Sequence, residues 1–258
     1  MSSITQDCCF IGRGKIYVKP YLATGTETNS FEFIGNASSF EFVPNVNELT
    51  VKNYTTTAGG TECSFEEIES VDVNMTVTCA NVANLARAFL GTQATVATSA
   101  ITNEAHFVEG VGAFIPLKNM PAAAPAIVVT DVAGTTTYLA GTDYILDGSV
   151  LCIPTGSTIT AASTIHVDYT KKAQDVVEIL TKTSGELEVL FDGINAASGA
   201  SYRVNLFKVK FGPADGFSFI GDDIVTFTLS GTALPASKTN SVSGLTSGFS
   251  QYGTIQVA

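Results

Sequence analysis

The chain has no tryptophan, only two histidines and only 13 lysines and arginines among its 258 residues. Each shortage removes a class of function. Glu186 and Glu188 of "GELEVLFDG" share one strand face as a carboxylate pair would, but without tryptophan there is no usual platform for a sugar ring, and a glycosidase is not expected. His106 and His166, each inside a strand-like run, offer no set of nucleophile, base and orienting group, so both read as structural. The basic residues stand singly apart from Lys171 and Lys172, and the net charge is −11. A chain that binds phosphate backbones needs a basic stripe that releases counterions, and this one carries the opposite field. Any relation to DNA is expected to be repulsive.

Other absences narrow the reading further. The opening "MSSITQDCCFIGRGKIYV" lacks a basic segment followed by a long apolar run, and no stretch approaches the roughly 18 apolar residues of a membrane helix. Synthesis in the cytosol without membrane insertion is the expectation. The five cysteines, Cys8, Cys9, Cys63, Cys79 and Cys152, are odd in number and irregular in spacing, so they suggest neither a disulfide framework nor a Cys-x-x-Cys metal site. "GRGK" at Gly12 to Lys15 lacks both the spacer and the following Ser or Thr of a phosphate loop. Asp131, Asp143 and Asp147 are oxygen donors of the kind calcium takes, but they stand where a β module places turn residues. The sequons at Asn36, Asn53 and Asn74 carry no meaning without a secretory signal. No catalytic set, metal or cofactor is expected.

Charged residues make up 14% of the chain against about 25% in ordinary soluble domains, so polarity is carried by Thr, Ser, Asn and Gly. Such a surface suits burial against copies of the same chain, although an ordinary threonine-rich β protein has the same composition. The pattern is dominated by alternation. "SVDVNMTVTC" sets Val71, Val73, Met75, Val77 and Cys79 on one face and Asp72, Asn74, Thr76 and Thr78 on the other. "SYRVNLFKVKF" repeats the device and becomes apolar on both faces toward its end. Further strands are expected at residues 15–19, 30–34, 38–43, 48–52, 105–117, 173–183, 186–191, 223–229 and 253–257. One helix is expected in "NVANLARAFLG", with Val82, Leu85, Ala86 and Phe89 on its buried stripe and Gly91 ending it in a left-handed conformation.

From 119 to 172 the texture changes to short strands separated by glycine-bearing turns, after an Ala-Pro linker. This predicts a small β-sandwich inserted into a host domain made of 1–118 and 173–258.

With chemistry unsupported, the hairpin "VKNYTTTAGGTECSFEEIESVDVNMTVTC" becomes the informative feature. Its loop, Tyr54 to Thr61, has no anchor on its own domain and is expected to project until a partner orders it. Phe65, Ile68 and Val71 step by three, which predicts a bulge or bend between Glu66 and Ser70. That bend would set Glu66, Glu67, Glu69 and Asp72 along one outward region.

The order of parts resembles the phage major tail tube proteins. "FEFIGNASSFEF" stands where they place an early strand pair with a Gly-Asn turn, the loop-bearing hairpin follows, and "CANVANLARAFLG" matches their flanking helix. "YLAGTDYILD" with "GSTITAASTIHVDYT" looks like their small inserted, immunoglobulin-like β domain, and "FIGDDIVTFTLSGTAL" like their closing strands. The resemblance covers nearly the whole chain and rests on order and spacing. It implies a mainly β sandwich or barrel with one short flanking helix, forming rings, usually of six, stacked into a hollow tube. Thr55, Thr56, Thr57, Ala58, Gly59, Gly60 and Thr61 would bridge adjacent rings. The implied partners are copies of the chain itself, other tail proteins (tape measure, terminator, baseplate or tip) and genomic DNA passing without specific binding. The implied location is the virion tail, and the host cytoplasm during assembly. Six copies would carry about −66 per ring, and Glu66, Glu67, Glu69 and Asp72 are the residues expected to face the lumen. A cell-surface β-sandwich adhesin and the tube subunit of a contractile secretion machine are the alternatives.

Overall fold

The computed structural model describes residues 9–21, 30–55, 57–183, 185–236 and 250–258. The protein is mainly β. In chain order its first strands are β1 (Gly12–Pro20), β2 (Glu32–Phe33), β3 (Ala37–Lys52) and β4 (Thr61–Val77), followed by helix α1 (Val82–Ala88). Then come β5 (Thr92–Val96), β6 (Ser99–Val108), β7 (Phe114–Pro116), β8 (Val128–Asp131), β9 (Thr137–Tyr138), β10 (Ile145–Asp147), β11 (Val150–Cys152), β12 (Ser163–Lys171) and β13 (Gln174–Glu178). The last strands are β14 (Gly185–Asn195), β15 (Ser201–Phe211), β16 (Phe227–Ala233) and β17 (Gly253–Val257). Contacts divide the chain into two units, Met1–Thr92 with Val177–Ala258, and Gln93–Val176.

The first unit is built on a sheet in the order β2-β1-β14-β15-β16-β4-β3, with β17 also paired to β15. The alternation expected in β4 is observed: Val71, Val73, Met75 and Val77 are buried, while Asp72, Asn74 and Thr76 are half-buried. Each such valine withdrawn from water is worth about 1.5–3 kcal/mol, so the periodicity fixes the register energetically. Ile16 and Val18 of β1 share this core with the β4 residues, and Phe40 of β3 stacks on Phe191 of β14 at 6.0 Å between ring centroids. Strands far apart in the sheet order therefore meet through one core, which requires the sheet to curl. Gly14 and Gly193 lie opposite each other in the register of β1 and β14. A Cβ on Gly193 would come within 2.4 Å of the Arg13 carbonyl oxygen and within 2.6 Å of the Phe191 ring, so the ring occupies the space both glycines leave.

In β15 the expected double coverage is seen where Leu206 and Phe207, neighbours in sequence, are both buried. The register slips there: Leu187 pairs with Val209 but Val189 with Leu206, so β15 carries one residue more than β14 over that interval. The segments 38–43 and 48–52 belong to one continuous strand. Pro44 does not interrupt it, because β3 ends the sheet order and a missing N–H there costs no ladder bond on the open side.

Two expectations about the helix are corrected. Its buried positions are Asn84 and Ala88, while Val82, Leu85, Ala86 and Phe89 are only half-buried. Asn84 earns its burial by donating from Nδ2 to the carbonyls of Ile34 at 2.6 Å and Cys79 at 2.8 Å, while its Oδ1 accepts from Arg87. Asn81 caps the helix by accepting the Asn84 amide. The residue with positive φ at the C-terminus is Leu90, at 47°, and not Gly91. Gly91 is required for a different reason: a Cβ there would lie 2.6 Å from the carbonyl oxygen of Glu178.

The second unit has a four-stranded sheet, β6-β12-β8-β9, and a three-stranded one, β10-β11-β7. Val108, Val129, Ile165 and Val167 from the first and Ile115 and Leu151 from the second enclose one core, so the unit is a small sandwich. Its bounds differ from the expected 119–172. The run expected as one strand over 105–117 turns between β6 and β7, which belong to different sheets, and β6 pairs along its length with β12. The strands that straddle its two bounds, β5 and β13, pair with each other as a two-stranded sheet.

Candidate functional site

β3 and β4 pair from Ala37/Val77 down to Lys52/Thr61, but only the near end of this hairpin belongs to the core. Along β3 every residue from Val46 to Lys52 is exposed, and along β4 every residue from Thr61 to Glu69. Since successive side chains point to opposite faces, neither face of this arm is covered. The arm nevertheless carries Val46, Leu49, Val51, Phe65 and Ile68, each 45% or more exposed. Direct pairing sets Leu49 beside Phe65 and Val51 beside Cys63 on one face, and Val46 beside Ile68 on the other. Beyond these cross-strand neighbours, the apolar side chains on both faces of the ribbon are left uncovered among the described residues.

The register slips where expected. Asn45 pairs with Ser70 and Val46 with Ile68, which leaves Glu69 as the extra residue of a bulge. The four acids, however, do not form one outward region. Glu66 stands opposite Glu48 on one face, Glu67 opposite Asn47 on the other, and Asp72 lies above the bulge, where its Oδ2 accepts from Asn45 Nδ2 at 2.7 Å. Adjacent residues of a strand must diverge, and the sequence run "FEEIE" concealed this because only the bulge position decides which parity faces which side.

The arm ends in the loop singled out from the sequence. Asn53 closes its neck: its amide donates to the Gly60 carbonyl at 2.8 Å, and its side-chain oxygen accepts from the amide and hydroxyl of Thr55. Thr55, Thr57, Ala58, Gly59, Gly60 and Thr61 are exposed, and Tyr54 is 84% exposed at the threshold. Gly59 and Gly60 adopt positive φ. Thr56 lies outside the described residues.

Alternation alone could not find the second surface. Between β1 and the start of β3 lies a cleft of about 600 Å³ lined by Phe10, Arg13, Phe40, Phe42, Phe191 and Tyr202, with Gly12 and Gly14 on its rim. Tyr17 and Val18 of β1 are paired to β2 and the Ile16 carbonyl accepts the Ile34 amide at 3.1 Å, so the outer side of Gly12 to Lys15 has no neighbouring strand among the described residues.

Several other ionisable residues are held in ion pairs and hydrogen bonds within the fold. Glu186 pairs with Lys208 at 3.1 Å, and Glu188 with Lys19 at 3.0 Å, the latter two almost fully buried and joined by Asn205. Asp131 accepts the amides of Thr135 and Thr136, and Asp143 those of Leu139 and Thr158. In both cases these hydrogen bonds hold the carboxyl below its ordinary value, as turn-forming carboxylates require. In the second unit, buried Glu104 accepts from Tyr169 Oη at 2.7 Å and the Lys118 amide at 2.9 Å, with His106 Nε2 at 2.7 Å. Burial opposes its ionisation, but these bonds prevail and lower its pKa; burial and the bond to Glu104 raise that of Tyr169. His166 is half-buried on β12. Among the described residues no group of three or more His, Cys, Asp and Glu is arranged to hold a metal ion, and no helix is long and apolar enough to cross a membrane.

No curated protein matches the chain. The model of the family described as "Protein of unknown function UCP028589" matches residues 9–256, and the chain belongs to that family.

Proposed function

We propose that this chain is a non-enzymatic structural subunit whose copies assemble into stacked rings, as in the major tube of a phage tail, around a conduit through which DNA passes. The observation that carries the reading is the arm: a two-stranded ribbon exposed on both faces, with Val46, Leu49, Val51, Phe65 and Ile68 in water. An isolated hairpin with apolar side chains is stabilised when a partner covers it. The long outer edge of β3, which has no partner strand among the described residues, adds backbone groups of the kind that copies of one chain can satisfy for each other. A contact between two different surfaces of the same chain repeats, closing into rings in one direction and extending as a filament in another. The charge of −11 per copy would give such a conduit a wall that repels duplex phosphate.

Sedimentation over a concentration series with negative-stain imaging tests this. Hollow rings or tubes are expected, and a chain that stays monomeric at the highest soluble concentration overturns the reading. Removing Ala58 to Gly60 should leave the circular dichroism spectrum unchanged while shortening the stacks to single rings, because the loop contributes nothing to its own core.

A further inference from the structure

We propose that the cleft beside β1 is the seat of another copy's arm, the outer edge of β4 over Thr61 to Glu69 adding as a strand to the open edge of β1 at Gly12 to Lys15. This rests on the assembly reading and names the surface that the arm engages.

The first argument is the backbone. Ile16 directs its carbonyl outward, where it accepts the Ile34 amide. Residues two apart in a strand point the same way, so Gly12 and Gly14 also turn their N–H and C=O groups outward, with no strand beside them among the described residues. The chain that would continue the pairing leaves β1 after Ile34 and runs into β3, which opens a wedge rather than a closed ladder. An extended segment entering it gains hydrogen bonds from β1 and an apolar floor from Phe40, Phe191 and Tyr202.

The second is charge. Arg13 and Lys15 sit at this edge, exposed, and form no ion pair among the described residues, although Asp192 lies opposite Lys15 across the strands. The outer part of β4 carries Glu62, Glu66, Glu67 and Glu69. In a chain with only 13 basic residues, a basic edge and an acidic ribbon are complementary surfaces.

The third is reach, which identifies the occupant as a second copy. β3 starts at the cleft with Phe40 and Phe42 and runs outward without a break to Lys52. From Phe42 to Leu49 is about 23 Å at the rise of a strand, so a paired arm points away from its own cleft and can fill only that of a neighbour. Phe65, 63% exposed, is the aromatic side chain that such an arm offers.

The full chain tests this with two of its own thiols, since Cys63 lies on the arm and Cys9 beside Phe10 at the cleft, both exposed. In a Cys8→Ser, Cys79→Ser, Cys152→Ser background, a short bismaleimide should join Cys9 of one chain to Cys63 of another, read as a ladder on denaturing gels and as the linked peptide by mass spectrometry. Arg13→Glu with Lys15→Glu should raise the concentration for half-assembly about tenfold or more, the scale expected when close charge pairs across an interface are reversed. Adding Glu62→Lys and Glu66→Lys should recover most of the loss. If the native chain assembles, the reversed chain assembles equally well and no interchain link forms, this docking is overturned while assembly stands. A link within a single chain overturns it as well, and a native chain that never assembles removes both.

Discussion

Glu104 shows how one buried carboxylate can organise a small sandwich. Its two oxygens tie β6 to the Lys118 amide and, through Tyr169, to β12, so three separate stretches of the second unit depend on one ionised group. Its carboxyl is held below the ordinary value near 4.5, whereas the unfolded chain keeps that value. As pH falls the unfolded state therefore takes the proton first. The stabilisation is fully present above the unfolded value and fades as pH drops through the lower folded one. Glu104→Gln should cost about 1–3 kcal/mol near pH 7, the range for losing charged hydrogen bonds at a buried site. Urea unfolding of both proteins should show that gap shrinking as pH falls below the unfolded value near 4.5, as the native carboxylate is in turn neutralised. A gap that stays constant over this range would mean that ionisation contributes nothing.

At the scale of the element, the arm separates stability from association. Leu49 and Phe65 are 66% and 63% exposed, so Leu49→Ser with Phe65→Ser should change the unfolding free energy of the isolated subunit by no more than about 1 kcal/mol, a few tenths for each surface substitution. The same pair should weaken self-association markedly in sedimentation, because two large apolar contacts disappear from the covered arm. A large loss of subunit stability would instead place these side chains against their own sheet. The sequence made the hairpin and its bulge legible, since Val71 to Val77 alternate and the step of three at Phe65, Ile68 and Val71 demands an extra residue. It could not show the facing of the acids, which follows from the pairing of Val46 with Ile68 across the bulge. The cleft was likewise invisible, because it is made by setting Gly14 against Gly193 and bringing Phe40 over Phe191, residues far apart along the chain. The helix was found but its buried face was not: the seat of Asn84 depends on the carbonyls of Ile34 and Cys79, which no helical periodicity encodes.

For the whole molecule, the decisive feature is that the two units have separate cores. One core draws on residues up to Phe89 and from Leu187 onward, and the other on residues between Ile101 and Tyr169. Sequence texture placed the start of the insertion too late because 105–117 reads as one strand of the host, and only the pairing of β6 with β12 assigns it to the second unit. A stretch of roughly 80 residues with its own two-sheet core is large enough to fold alone. Residues 93–176 expressed by themselves should therefore unfold cooperatively, with a midpoint matching one of two transitions in the calorimetric trace of the full chain. The arm, the loop and the cleft all belong to the first unit. A chain in which a short linker replaces 93–176 should then keep its ability to self-associate, measured by sedimentation at the concentrations used for the native protein. Loss of association in a variant that retains the β-sheet spectrum of the first unit would move the assembly surface onto the inserted sandwich.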